Sequence, residues 1–482
     1  MKRFKEKNIK NNKSKYRKYI FISFTLFLLL FSLFVFCITF FVKREFTDIN
    51  ISQVPSVKEV LVTDDNKLLV KFKMDLFARD KNVFCMFNMT GDVPLVDDSN
   101  WILTSNNECS ISMDNNIYYG FLKNNNGDIV SVSDTSKIGK VLNLKSNKNK
   151  IYLALKGKYK LNLTYDKIGY VEDVITWKSE NESVAKVDED GLVLGVSKGE
   201  TKIIGSINNQ DVSIDVIVSD LIVVRPKVYD RNKSSLPCGK HSEKDNDLLD
   251  EILVDRVNDV GRKTRAGVVE TARFLALEFP YKIRYFSENG RLTGNGVDGE
   301  GRYYHEGLYL HKSRYENIDK SMRGPKTWGC SLWSNPSKAY RQNGLDCSGF
   351  MTWVFLNGGF DTGDIGAGVS GGILDFTDLG EKTRFTDEIK KSGKIKVGDL
   401  LSSGGSQGGH IALIVGEDNE FYYVAESLWT PPNTAVVIIA YPKTKEIKKK
   451  YNTSYEVIND RYYWVMLMDS YYKKDGNLTN MW

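Results

Sequence analysis

The chain has 482 residues, which at ~100 to 200 residues per domain predicts about three domains and excludes a single compact core. Hydrophobic residues make up 41% and charged residues 27%, a balance that excludes both a disordered chain and a polytopic membrane protein. The net charge is +6, yet residues 1–18 alone carry nine Lys and Arg side chains against one Glu, a local charge of +8. The remainder is therefore slightly acidic, so charge gives no support to nucleic-acid binding.

A long apolar segment follows this basic tail. Residues 19–42 carry no charge and are dense in Phe and Leu. As a helix rising ~1.5 Å per residue they span ~36 Å, enough to cross a ~30 Å hydrocarbon core. Because positive charge is heavier before the segment, we predict a single-pass anchor in the cell membrane, with residues 1–18 in the cytoplasm and the rest outside. A cleaved signal peptide has a shorter core, and a lipoprotein needs a small residue where Phe36 precedes Cys37.

Two β-rich modules are predicted next. In residues 43–145, short apolar runs alternate with Asn, Asp and Gly turns, a pattern typical of an all-β sandwich of the fibronectin or Ig type. A hairpin is predicted around Asn126-Gly127. Cys85 and Cys109 lie in this module and would be permitted to pair outside the cytoplasm, but sequence leaves the connectivity open.

The second module, residues 146–224, contains the run ITWKSENESVAKVDEDGLVLGVSKGETKII. Val184 and Val187 mark one strand, Gly191 permits a turn, and Gly199 opens the next hairpin. This order of residues resembles the group 2 bacterial Ig-like domain. The resemblance implies a β-sandwich that acts as a spacer or an adhesive module, and the absence of an exposed aromatic or charged cluster favours the spacer.

Residues 225–262 are predicted to form a linker and a helix. Prolines and charged residues mark the linker, and apolar residues then recur at spacings of three and four from Leu248 to Val260. A further helix carries apolar residues from Val268 to Leu277 and ends before Pro280.

The most informative segment for chemistry is Gly344-Leu-Asp-Cys-Ser-Gly-Phe-Met351. The apolar positions that follow form one helical stripe, which places Cys347 in the first turn of a buried helix with Asp346 as its N-cap. At that position the helix dipole favours thiolate over thiol, as a nucleophilic cysteine requires. The alternative is a small buried cysteine that only packs.

A partner for this cysteine is predicted at His410. This residue, one of four histidines, follows a Gly/Ser loop and opens the alternating strand Ile411 to Val415. A histidine there is free to face a cleft and accept a thiol proton. The next strand, Phe421 to Ser427, offers Glu426 near its end as the polar group that orients the imidazole.

These residues carry a second resemblance. DCSGF on a helix, then GDLL, then GHIALIVG look like the NlpC family of papain-like cell-wall cysteine peptidases, over residues 263–482. The resemblance implies that Cys347 is the nucleophile, that His410 is the general base, and that Tyr281 of a Pro-Tyr segment lines the substrate cleft. The third catalytic position in the family is most often His, and here Glu426 is the best match, with Ser427 as the alternative.

We also predict substrate contacts for Asp346 and Ser348, which flank the nucleophile. Compared with the family pattern, residues 288–343 are an insert rich in aromatic residues, for which we favour packing over substrate stacking. Within it, Gly294 to Gly299 matches G-x-G-x-x-G formally, but no apolar helix follows, so a nucleotide loop is disfavoured.

A metal site is also disfavoured. The candidate zinc ligands match no known spacing: Cys238, His305, His311 and Cys330. No metal or organic cofactor is expected.

The fold expected is multidomain: one N-terminal transmembrane helix, two all-β Ig-like sandwiches and a C-terminal α+β papain-like domain. The function expected is a membrane-anchored peptidoglycan hydrolase that cleaves an amide bond of the wall stem peptide, between D-glutamate and the diamino acid by family resemblance. The alternatives are an amidase or acyl transferase on the same dyad, and a non-catalytic wall-binding or adhesion protein.

Overall fold

The computed structural model describes residues 17, 21–36, 53–76, 78, 81–226, 229, 232–286, 328–330, 344–362, 365, 379–403, 409–430 and 434–478. Residues 21–36 form helix α1. No helix within these described ranges is long and apolar enough to cross a membrane. The other residues of the predicted span, 19–20 and 37–42, lie outside the described part of the chain.

The chain divides into two compact units. The first comprises residues 1–144, 164–174 and 207–210, and the second comprises residues 145–163, 175–206 and 211–482. In the first unit, one sheet has the order β1-β2-β5 and another the order β4-β3-β6-β7. Their strands are β1 Ser56–Val62, β2 Lys67–Lys73, β3 Val83–Asn88, β4 Ile102–Leu103, β5 Glu108–Ser112, β6 Tyr119–Asn124 and β7 Ile129–Val132.

These two sheets pack face to face as the predicted sandwich. Alternate residues of β2 point inward, so Val70 and Phe72 meet Leu122 of the other sheet in one core. The predicted hairpin joins β6 to β7 with Gly127 at φ +89°, a left-handed turn position that favours glycine. Cys85 and Cys109 occupy the same core as free, buried thiols.

The second sandwich follows a short 3₁₀ turn at Thr135–Lys137. Its sheets have the orders β12-β15-β16-β9 and β10-β14-β13, and β8 pairs with β11 in a separate two-stranded sheet. Strand β9 runs parallel to β16, so the start and end of the module lie together. The strands are β8 Gly139–Ser146, β9 Lys150–Ala154, β10 Lys158–Lys160, β11 Leu163–Gly169, β12 Thr176–Ser179, β13 Ala185–Val187, β14 Leu192–Gly195, β15 Gly199–Ile207 and β16 Gln210–Ser219.

The C-terminal region is built on a six-stranded antiparallel sheet of order β17-β22-β18-β19-β20-β21. It is richer in strands than the α+β arrangement predicted from sequence. Its strands are β17 Glu381–Arg384, β18 Leu400–Ser402, β19 Ile411–Glu417, β20 Phe421–Ser427, β21 Val436–Pro442 and β22 Trp464–Leu467. Its helices are α2 Glu243–Val260, α3 Arg265–Arg273, α4 Cys347–Asn357, α5 Asp387–Lys391, α6 Lys445–Lys450, α7 Ile458–Arg461 and α8 Asp469–Tyr472.

Both faces of this sheet are buried. Successive side chains alternate between two cores, so Leu413 joins the core that contains α2, α3 and α4, whereas Ile414 joins the core on the opposite face. This double burial explains the nearly unbroken apolar runs of β19 and β21. A π-helical turn, Phe274–Glu278, extends α3 up to the predicted stop before Pro280.

Helix α2 packs inside the C-terminal region and also contacts the second sandwich. Leu249 and Ile252 share a core with Tyr152 of β9. Lys148 forms an ion pair of 2.7 Å with Asp255. The helix predicted as part of a linker therefore belongs to a continuous core.

A disulfide ties the insert to the segment before α2. Cys238 and Cys330 are bonded, which removes both from the zinc alternative, while His305 and His311 lie outside the described residues. Trp328, almost fully buried, packs its ring 5.6 Å from that of Trp353 on α4. In the described ranges, no group of three His, Cys, Asp or Glu side chains could hold a metal ion. The rest of the insert, including the G-x-G-x-x-G segment, lies outside those ranges.

Candidate active site

Helix α4 begins where the sequence predicts. Asp346 is its N-cap, and its carboxylate accepts a hydrogen bond from the Gly349 backbone N–H at 2.6 Å. Ten of its eleven residues are buried, so the helix is enclosed on all sides and not only along the predicted apolar stripe. Cys347 therefore stands at the positive end of a buried helix, 7% exposed.

The segment before Cys347 is held by backbone and side-chain contacts. Leu345 donates its N–H to the carbonyl of Arg284, and the carbonyl of Leu345 accepts a hydrogen bond from Ser427 Oγ at 2.7 Å. Ser427 ends strand β20, so the cysteine is fixed against the same strand that carries Glu426.

The imidazole of His410 lies between Cys347 and Glu426. Its Nε2 lies 2.6 Å from Oε2 of Glu426, and the side chain of Cys347 is close enough to raise the pKa of His410. Because Nε2 is engaged by the carboxylate, Nδ1 is the nitrogen left to exchange a proton with Cys347. The structure thus brings together the three residues predicted as catalytic, and it places Ser427 elsewhere.

Electrostatics favour a charged imidazole. Burial lowers the pKa of His410, but hydrogen bonds with Cys347 and Glu426 and the nearby carboxylate charge outweigh burial and raise the pKa to about 9. Burial alone would raise the pKa of Glu426, yet His410 and two tyrosine hydroxyls hold it below the usual value. An imidazolium can donate a proton to a leaving amine, so this arrangement suits acyl transfer.

The three residues predicted to bind substrate have other contacts in the structure. Tyr281 is half-buried, with its ring 5.8 Å from Phe279 and 5.9 Å from His241. Asp346 caps the helix, and Ser348 donates its hydroxyl to Asp346 at 3.2 Å. Their roles in substrate binding stay predictions.

Sequence inspection missed two tyrosines at this site. Tyr441 Oη donates to Oε1 of Glu426 at 2.7 Å, and Tyr462 Oη donates to Oε2 at 2.6 Å. Tyr441 lies on β21 and Tyr462 lies in the turn before β22, so the pairing of the strands brings both to Glu426. The available sequence signal was an aromatic residue on the same face as Glu426.

An aromatic pair with one exposed member was also missed. Trp429 follows β20, is 68% exposed, and makes an edge-on contact of 5.5 Å with the ring of Tyr285. Tyr285 adjoins Arg284, whose carbonyl accepts from Leu345 two residues before the cysteine. The pair therefore lies on segments that lead directly to the site.

Comparison with known proteins supports one of the two resemblances. Residues 166–216 match the family model described as bacterial Ig-like domain (group 2). The prediction for the second module is confirmed. No curated protein sequence matches this chain.

Several solved structures are similar to parts of this chain. A crystal structure of an intimin mutant from EHEC O157:H7 is 20% identical with a TM-score of 0.16, covering 26% of this chain and 69% of that one. Domains 4 and 5 of the S-layer protein SbsC are 16% identical with a TM-score of 0.16, covering 25% and 87%. Invasin, a bacterial integrin-binding protein, is 10% identical with a TM-score of 0.20, covering 39% and 48%.

Proposed function

We propose that this chain is a thiol-dependent hydrolase that cleaves an amide bond in the stem peptide of peptidoglycan. The observation that carries the proposal is the contact series from Cys347 to His410 to Glu426, in which a buried cysteine at a helix start meets an imidazole 2.6 Å from a buried carboxylate. A nucleophile, a base and an orienting group in this order form the arrangement used for covalent acyl transfer.

In the proposed reaction, Sγ of Cys347 attacks the amide carbonyl carbon and forms a tetrahedral intermediate. The backbone N–H of Cys347, at the start of α4, is a candidate donor to the oxyanion. His410 gives its proton to the leaving amine as the C–N bond breaks. His410 then takes a proton from water, whose oxygen attacks the thioester, and the carboxylic acid leaves as Cys347 is regenerated.

The choice of substrate rests on the resemblance of DCSGF and GHIALIVG to the NlpC family. That resemblance implies the bond between D-glutamate and the diamino acid, a papain-like fold for the C-terminal region, and no cofactor. The exposed ring of Trp429 offers a flat apolar surface against which a wall fragment could stack.

We further propose that the enzyme is anchored in the cell membrane by residues 19–42, with its catalytic region on the outer side. The charge-free run and the basic tail before it support this orientation. The Cys238–Cys330 disulfide also supports it, because disulfides persist in oxidising compartments.

The direct test uses full-length protein in mild detergent, incubated with purified peptidoglycan of several stem-peptide types. Released fragments are identified by mass spectrometry. We expect wild-type protein to release peptide fragments with a new amino end at the diamino acid, leaving the new D-glutamate carboxyl on the glycan, and Cys347→Ser and His410→Ala to release none.

Cys85→Ser is the matched control, because it also replaces a free, buried cysteine but lies in the first unit. It should retain full activity. Folded wild-type protein that binds peptidoglycan but releases nothing from any wall type would overturn the hydrolase and favour a wall-binding protein. Intact stem peptides released free of sugar would instead indicate an amidase.

A further inference from the structure

Glu426 is a buried carboxylate with an unusually complete set of donors. Its side chain is fully buried, and each oxygen is engaged: Oε1 accepts from Tyr441, while Oε2 accepts from Tyr462 and faces His410 Nε2. Transferring an isolated carboxylate from water into such a site is costly, and the group escapes the cost by taking a proton. Neutral Glu426 would give His410 no counter-charge.

The two tyrosines are suited to keep this carboxylate ionised. Both are buried, and burial together with the Glu426 charge raises the pKa of each hydroxyl, so both stay protonated as donors. The ring of Tyr462 also lies nearly parallel to the imidazole of His410, with centroids 6.2 Å apart and planes at 22°. Tyr462 therefore contacts both members of the pair it supports.

A cation lies behind the tyrosines. The guanidinium of Arg461 is 5.6 Å from the centroid of the Tyr462 ring, and the charges of Glu426 and the nearby tyrosines raise its pKa. Arg461 ends the short helix α7, one residue before Tyr462, so a single turn of chain positions both groups. Its positive charge partly balances the negative charge of Glu426.

We propose that Tyr441 and Tyr462, with Arg461 behind them, are positioning residues that hold Glu426 ionised and thereby keep the His410 imidazole charged and aimed at Cys347. The inference rests on the proposed hydrolase chemistry, but it concerns the protonation of the site itself. The two tyrosine hydroxyls and the Arg461 guanidinium act through Glu426, while the ring of Tyr462 also lies beside the imidazole.

The sign of the effect follows from the hydrogen bonds. Each tyrosine hydroxyl lowers the pKa of Glu426, so its removal raises that pKa and the carboxyl keeps a proton to higher pH. While Glu426 keeps its proton, the His410 imidazolium lacks a counter-charge. Alkylation of Cys347 should therefore begin at higher pH. A loss of packing alone would lower the amount of folded protein without moving this midpoint.

The experiment measures the rate at which iodoacetamide alkylates Cys347 as a function of pH, followed by mass spectrometry of the Cys347 peptide in full-length protein. No wall substrate is needed. Tyr441→Phe and Tyr462→Phe each remove one hydroxyl and keep the ring. We expect each to move the acidic midpoint upward by about one pH unit, a roughly tenfold slower reaction at a fixed pH below it.

Tyr422→Phe is the matched control, because Tyr422 is buried in the same core without contacting Glu426. It should titrate as wild type. Arg461→Gln should move the midpoint in the same direction as the tyrosine variants. Its midpoint replaces that of a tyrosine variant that fails to fold.

Midpoints unchanged in the folded tyrosine variants would overturn the positioning role, even if the wild-type protein hydrolyses peptidoglycan. A midpoint that shifts as expected in a protein that releases no wall fragments would support this inference and overturn the proposed substrate.

Discussion

Glu426 and His410 meet at 2.6 Å, with the carboxylate fully buried and the imidazole side chain 14% exposed. The carboxylate is thus shielded from water while the imidazole still reaches the surface. This difference in exposure is expected if Glu426 orients the imidazole and His410 acts as the base. Alternation along β20 directs Ala425 into the core beneath α4 and Glu426 to the opposite face.

Replacing Glu426 by Gln keeps the shape of the side chain but removes its charge. Burial then acts on His410 without the compensating carboxylate, so the pKa of His410 falls from about 9 towards or below its ordinary value. We expect the alkaline limb of activity, where His410 loses its proton, to move to lower pH, with a rate loss of about 10²-fold or more. The surface variant Glu417→Gln is the control; an unshifted alkaline limb in Glu426→Gln would show that the carboxylate does not act on His410.

Protein stability should decline at alkaline pH. The pKa of His410 is raised to about 9 in the folded protein from an ordinary value of 6.5, so its contribution is fully present below about 6.5 and is lost as pH rises through about 9. Urea unfolding at pH 6 and pH 10 should show a larger alkaline loss in wild type than in His410→Gln. Equal losses in the two proteins would remove His410 as the cause.

Asp346 can be assigned by comparing two substitutions. Asp346→Ala removes the acceptor for the Gly349 N–H and should destabilise the protein by about 1 kcal/mol, whereas Asp346→Asn keeps an oxygen acceptor and should cost less. Thermal unfolding measures both. If Asn preserves stability but raises KM strongly, the carboxylate also binds substrate, as the sequence predicts.

The Cys238–Cys330 disulfide should be a major source of stability. It joins residues separated by 92 positions, and closing a loop of this length restricts the unfolded chain by roughly 4 to 5 kcal/mol in the entropic treatment. Reduction should therefore lower the unfolding temperature of wild type and have no effect on Cys238→Ala/Cys330→Ala. A reductant that affects both proteins equally would indicate another target.

Trp429 should act on substrate binding and not on the chemical step. Its ring is 68% exposed and makes an edge contact with Tyr285, so Trp429→Ala should leave folding intact and raise KM for wall fragments several-fold with kcat nearly unchanged. The control is Tyr463→Ala, which also removes a ring at an exposed position. Trp464→Ala is less suitable because Arg384 stacks on that ring at 4.0 Å. A fall in kcat without a change in KM would contradict this role.

The local features of the site could be predicted from the sequence. An Asp before a buried apolar stripe was enough to predict the start of α4, and a histidine before an alternating strand was enough to predict His410. Glu426 could be found because it lies near the end of the next strand. In each case, the signal lay within about ten residues of the group it predicted.

Features set by distant pairing could not be predicted in this way. Tyr441 reaches Glu426 through the register of β20 with β21, and Tyr462 reaches it from the turn before β22. The partner of Cys238 was open because connectivity is not encoded in spacing. Helix α2 was predicted together with the linker. The spacing of its apolar residues shows that the helix has an apolar face but does not show which element packs against that face.

The contact of β9 with α2 bears on cooperativity. Tyr152 and Ala154 share one apolar cluster with Leu249 and Ile252, and Lys148 adds an ion pair to Asp255. A strand that belongs to this cluster cannot be exposed without also opening the core that α2 shares with α3 and α4. The second sandwich and the C-terminal region should therefore melt in a single step, so that damage to the sandwich would inactivate the catalytic centre as well.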